Sequence, residues 1–155
     1  SLVEAHGFGV LHGQLDPGRV WLTGRGLDGV KVTGFGGLTL LPSQNMSARG
    51  LPYASPEHLS GDELTPRTDV YGIGVILLEM LTGRAPFASE SPMRIALAQR
   101  DGAPCQGVWY DRLCQDHPTL AAIVQRCLSY EPAARYASVN DVRAALMHHL
   151  CLQAA

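Results

Sequence analysis

Residues 67–82 carry apolar side chains almost all the way round a helix. A helix patterned in this way has no polar face to give to water, so it is expected to be buried on every side. Other helices must therefore be arranged around it. Its ends are written locally: Thr65 and Pro66 supply a hydroxyl cap and a first-turn proline, and Gly83 supplies the stop. Gly72 and Gly74 inside it each cost roughly 1 kcal/mol relative to alanine. Close approach of another backbone is the simplest reason for them. The apolar run 73–78 is far too short to span a bilayer and leads into Glu79.

Further helices are expected at 91–100, 119–128 and 138–150. In the last, Val139, Val142, Ala145, Leu146 and Leu150 recur at helical spacing, and Ser138 with Asp141 forms a capping signal. Short β-rich runs at 20–22 and 30–32, separated by a glycine-rich turn, read as a hairpin. Residues 34–57 read mostly as loop. The whole is mainly α with one small hairpin. At 155 residues and 46% hydrophobic, the chain can bury one sizeable core. A net charge of −2 offers no electrostatic reason to bind nucleic acid or an anionic membrane. Cys105, Cys114, Cys127 and Cys151 are scattered without metal-ligand spacing and read as thiols in a reducing, cytoplasmic setting. Adjacent His148 and His149 point to different faces of a helix and are expected to form an exposed pair rather than a metal site.

Five stretches carry a resemblance. Residues 12–20 read His-Gly-Gln-Leu-Asp-Pro-Gly-Arg-Val, and Gly34-Phe35-Gly36 follows. Tyr53-Ala54-Ser55-Pro56-Glu57, the helix with its following Pro86-Phe87, and Tyr130-Glu131-Pro132 through Arg135 come next in order. Together they resemble the catalytic loop (H-R-D-L-x-x-x-N), the D-F-G loop, the A-P-E segment, the long central helix and the D-P-x-x-R segment between the last two helices of eukaryotic-type, bacterial-style Ser/Thr protein kinases. The resemblance implies a kinase C-lobe over residues 1–152 with 153–155 as a tail. It also implies that the N-lobe and most of the helix before the catalytic loop lie outside this chain. The single lysine, Lys31, sits on the expected hairpin and is not the family's N-lobe lysine.

The resemblance also implies a degenerate active site, as in pseudokinases. Phosphoryl transfer rests on positioning and charge neutralisation by metal ions, with an aspartate orienting the attacking hydroxyl. At the base position stands Gln14, whose amide takes no proton. At the lysine position stands Asp16, of opposite charge. The metal ligands are replaced by Arg19 and Gly34. No metal and no cofactor are expected on this basis. Two readings of Arg19 stay open: it contacts a nucleotide phosphate without a cation, or it pairs with Asp16 and fills the empty site, the latter being preferred. Gly13 removes the arginine that receives an activation-loop phosphate, so Thr39, Ser43 and Ser47 read as solvated hydroxyls. Residues 49–53 fit the family's peptide-binding loop only with a one-residue slip. Asp16-Pro17-Gly18 reads first as a turn former.

What remains is architectural. By resemblance, His12 and Phe35 belong to the hydrophobic spine, Asp69 accepts backbone hydrogen bonds from the catalytic loop, and Glu57 with Arg135 forms a buried ion pair. The leading expectation is a catalytically inactive kinase-like domain that regulates or scaffolds through a protein partner or an N-lobe of the parent chain, with no nucleic acid partner and no membrane segment. The alternative is a divergent Ser/Thr kinase or nucleotide-binding transferase with metal-independent ATP binding. A third is a structural remnant within a larger sensor or receptor.

Overall fold

A computed structural model of the chain describes residues 2–24, 29–35, 49–87 and 91–153. In chain order these form α1 (Leu2–Gly7), β1 (Val20–Leu22), β2 (Val30–Val32), α2 (Pro56–Ser60), α3 (Pro66–Thr82), α4 (Pro92–Arg100), α5 (Val108–Asp116), α6 (Pro118–Cys127) and α7 (Val139–Gln153). The architecture is mainly α, with β1 and β2 paired antiparallel as Val20↔Val32, Trp21↔Lys31 and Leu22↔Val30. No helix among the described residues is long and apolar enough to cross a membrane.

The helix starts follow from local chemistry. Thr65 caps α3 by accepting from the Arg67 amide, and the Thr65 amide donates back to Thr68 Oγ1 at 3.1 Å. Ser91 caps α4 through the Arg94 amide. At α7, the Ser138 amide donates to Asp141 Oδ2 and the Asp141 amide donates to Ser138 Oγ, a reciprocal box. Gly83 ends α3 with φ +70°, a left-handed conformation that glycine adopts without steric cost.

Helix α3 is the hub. Tyr71, Val75 and Leu78 pack with Tyr110 and Leu113 of α5 and with Ala121, Val124 and Leu128. Val70 joins Ile123, Cys127, Val139 and Val142 in a second cluster between α6 and α7. The expectation of burial on every side is met over residues 68–72, while farther along only one face, with Val75 and Leu78, stays buried. Met80 is 74% exposed and Leu81 36%, because the last turns run out past the helices that cover the first. The two internal glycines differ as well. A Cβ on Gly72 would meet Leu15 Cβ at 3.2 Å and its carbonyl at 3.5 Å. One on Gly74 would lie 2.6 Å from Cys127 Cβ, so a side chain rather than a backbone makes the close approach there.

Two elements depart from the pattern reading. Helix α5 falls where the pattern gives no helix, and the short α2 begins at the end of the stretch that reads as loop and runs past it to Ser60. Helix α1 is too short to stand alone and is held by Leu2 and Val3 against the second cluster. His148 is exposed, but His149 is buried at 7% exposure while Leu150 is 57% exposed. The expected exposed histidine pair is thus corrected to one buried and one exposed: His149 lies two turns beyond Val142, on the face of α7 that carries Val139, Val142 and Leu146 into the second cluster. Thr39, Ser43 and Ser47 lie outside the described residues.

Candidate functional site: an arginine-filled loop pair

The site is built by the turn after α1 and by the hairpin. Asp16 caps the 3-10 turn Pro17–Arg19, its Oδ1 accepting from the Gly18 amide at 2.8 Å. That turn delivers Arg19 to the start of β1. The Thr33 amide donates to the Arg19 carbonyl at 2.9 Å, so the hairpin brings Gly34 back opposite Arg19.

All four positions singled out from the sequence meet at one guanidinium. Arg19 Nε donates to Asp16 Oδ2, Nη1 to the Gly34 carbonyl and Nη2 to Gln14 Oε1, each at 3.1 Å. Asp16 is buried at 7% exposure, and this ion pair compensates its charge. Gly34 has φ +85°, and a Cβ built there would sit 2.6 Å from Arg19 Nη1. The arginine therefore occupies the space that any side chain at position 34 would enter.

The donor set does not fit a divalent cation. Position 34 has no side chain, and the Asp16 carboxylate and the Gln14 amide oxygen both face Arg19, whose charge repels a cation. Among the described residues no three His, Cys, Asp or Glu side chains converge.

Behind the site lies a hydrogen-bonded frame. Asp69, 1% exposed, accepts from the His12 amide at 2.9 Å, from the Gly13 amide at 2.7 Å and from His6 Nε2 at 2.7 Å. Gly13 is held at φ +76°. His12 Nε2 lies 3.0 Å from the Thr33 carbonyl, which can only accept, while the Gln14 amide donates to Nδ1. The partners therefore dictate a neutral imidazole with its proton on Nε2. The Phe35 ring packs on His12 with centroids 5.0 Å apart.

Farther off, Arg135 forks onto Glu57, Nη1 to Oε1 at 2.7 Å and Nη2 to Oε2 at 2.9 Å. It also donates to the carbonyls of Ser129, Tyr130 and Arg67. Burial raises the Glu57 carboxyl pKa, but the bonds from Arg135, its charge and the Thr68 hydroxyl outweigh that and hold the pKa below its ordinary value.

Sequence reasoning missed two contacts. The His6 side chain reaches Asp69 from α1, and no local signal marks it. The Tyr53 hydroxyl donates to Glu79 Oε2 at 2.6 Å, and its pKa is raised by burial and then by the Glu79 carboxylate. That pair joins the segment before α2 to the exposed half of α3, where an isolated glutamate in an apolar helix was the available hint.

The protein kinase domain model matches residues 2–150. The chain is 32% identical over 156 residues to the serine/threonine-protein kinase drp72 of Corynebacterium efficiens, covering 94% of this chain and 28% of that protein. It is 33% identical over 150 residues to the serine/threonine-protein kinase PksC of Streptomyces coelicolor, covering 92% and 26%. It is 30% identical over 150 residues to the serine/threonine-protein kinase PrkC of Bacillus subtilis, covering 93% and 22%. The chain thus spans about a quarter of the length of these curated relatives.

Proposed function

This chain belongs to the protein kinase domain family, and we propose that within it the chain is a kinase-like C-lobe without phosphoryl-transfer activity, acting as a regulatory or scaffolding module that binds a protein. The observation that supports this most directly is the position of Arg19. Its guanidinium joins Asp16, Gln14 and the Gly34 carbonyl in the place where a working kinase needs carboxylates and metal ions. An arginine stays charged at every working pH, so it does not yield the site to a cation. Gln14 offers no base, and the frame around Asp69, His12 and Arg135 is kept for reasons of folding alone.

The test is turnover by the full product of the gene that encodes this chain. Incubated with radiolabelled ATP, Mg²⁺ or Mn²⁺ and generic protein substrates, it is expected to incorporate no label above the blank. Metal-dependent incorporation that disappears in Arg19→Ala would falsify the reading. The alternative, ATP binding without a metal, draws on the partial exposure of Arg19, whose side chain is 27% accessible. It requires the guanidinium to exchange three internal bonds for phosphate contacts. Calorimetric titration of metal-free ATP is expected to be flat, and heat that vanishes in Arg19→Ala would establish the alternative instead.

A further inference from the structure

Helix α5 and the end of α3 enclose a surface groove far from the loop pair. One cavity of about 270 Å³ has Leu78, Pro86, Pro104 and Tyr110 in its walls and Arg84 beside it. A second of about 200 Å³ is lined by Leu81 and Leu113, with Arg112 and Asp116 also in its lining. Trp109 and Thr82 line both, so the indole stands between the two depressions. Trp109 is 48% exposed and its neighbour Val108 77%. An aromatic left this open between two hollows of mixed polar and apolar lining offers apolar surface to a partner side chain.

The charges decide what the groove takes. Arg84 lies over the Trp109 ring, its guanidinium carbon 4.3 Å from the centroid. Arg112 is offset by Asp116 at 3.8 Å. Arg84 has no carboxylate within ion-pair distance among the described residues. Among the described residues the rim therefore carries one positive charge without a carboxylate partner, oriented by stacking and already shielded from water on one face. A guanidinium in that state favours a carboxylate that meets its free edge with two parallel bonds.

We propose that this groove docks a segment of a partner protein in which an apolar or aromatic side chain is flanked by Asp or Glu. The apolar side chain fills the hollow beside Trp109 and the carboxylate pairs with Arg84. The proposal rests on the reading above that the chain works by binding a protein, and it names the chemistry of that partner.

The test pans a random-peptide display library over the immobilised chain. Recovered peptides are then synthesised and titrated by fluorescence in a Trp21→Phe background, which leaves Trp109 as the reporter. Expected are peptides enriched in acidic residues beside apolar ones, with binding weakened by added salt. Arg84→Glu is expected to weaken them by about tenfold or more and to accept versions in which the acids are replaced by lysine. Arg84 and Trp21 are exposed, so these variants keep the fold, as circular dichroism checks. No selected peptides, selection without acids, binding indifferent to Arg84→Glu, or self-association as the only event at this face each overturn the proposal. Label incorporation alongside acidic-peptide binding overturns the inactive reading alone. A silent turnover assay with no acidic selection overturns this proposal alone.

Discussion

Replacing Arg135 by alanine is the sharpest probe of the frame. The side chain is 2% exposed and makes five hydrogen bonds, two to Glu57 and one each to the carbonyls of Ser129, Tyr130 and Arg67. Its guanidinium also lies 4.9 Å from the Tyr71 ring centroid. The variant leaves Glu57, 7% exposed, with the Thr68 hydroxyl but no counter-charge. Breaking a buried pair from one side costs about 3–5 kcal/mol. For a domain of this size each kcal/mol moves Tm by roughly 2–4 °C, so the melting point should fall by roughly 6–20 °C. Urea unfolding followed by circular dichroism at neutral pH measures the loss, and Arg135→Lys supplies a milder variant should alanine fail to fold. Acidity gives an independent check of sign. In the wild type the folded-state Glu57 pKa lies below its unfolded value. Its contribution is therefore present above about pH 4.5 and is lost as pH falls through the folded-state pKa. Without Arg135, burial dominates and the carboxyl pKa is raised, so protonation relieves the variant. The stability gap between the two should narrow on acidification. A loss below about 1 kcal/mol, or a gap that widens as pH falls, refutes the account.

Asp69→Asn removes the charge that receives three donors and should cost about 3 kcal/mol by urea unfolding; a loss near zero would mean that the loop before β1 is held by other contacts. Gly74→Ala should destabilise by about 1–3 kcal/mol through collision with Cys127, although alanine is the better helix former, and a stabilised variant would show that α6 yields. Gln14→Asp, Arg19→Asn and Gly34→Asp together should create a Mn²⁺ site visible by electron paramagnetic resonance, whereas Gly34→Asp alone should not, because Arg19 remains to pair with the new carboxylate. Burial pushes the Cys127 thiol pKa up to about 12 and that of Cys105 up to about 11. Maleimide at neutral pH should therefore label exposed Cys114 and Cys151 first, Cys105 slowly and Cys127 only on unfolding, as mass spectrometry can follow; native labelling of Cys127 at the rate of Cys114 would contradict its burial.

Helix ends were legible because capping is a matter of a few neighbouring residues: Thr65, Ser91, Ser138 and Gly83 act within one turn of themselves. The hairpin was legible for the same reason. Helix α5 was not, since Val108, Trp109 and Tyr110 are weak helix formers and only Tyr110 and Leu113 hint at a face. The phase of α7 was legible: Val139, Val142, Ala145 and Leu146 face the second cluster, and His149, two turns beyond Val142, lies on the same face, so only Leu150 falls outside the expected stripe. Apolar content likewise overstated the burial of α3, because hydrophobicity says which side chains avoid water without saying how far the surrounding helices extend.

At the candidate site, chain order and residue chemistry alone identified Gln14, Asp16, Arg19 and Gly34 as a related set, and excluded a base at one and a metal ligand at another. Those are properties of single side chains and survive in any conformation. That one guanidinium joins all of them, that Gly34 leaves it the room, and that Arg84 stacks over Trp109 are decided only by the tertiary structure. Hydrogen bonds and stacking act over a few ångströms, and residues many positions apart come within that range only after the hairpin closes and the helices pack.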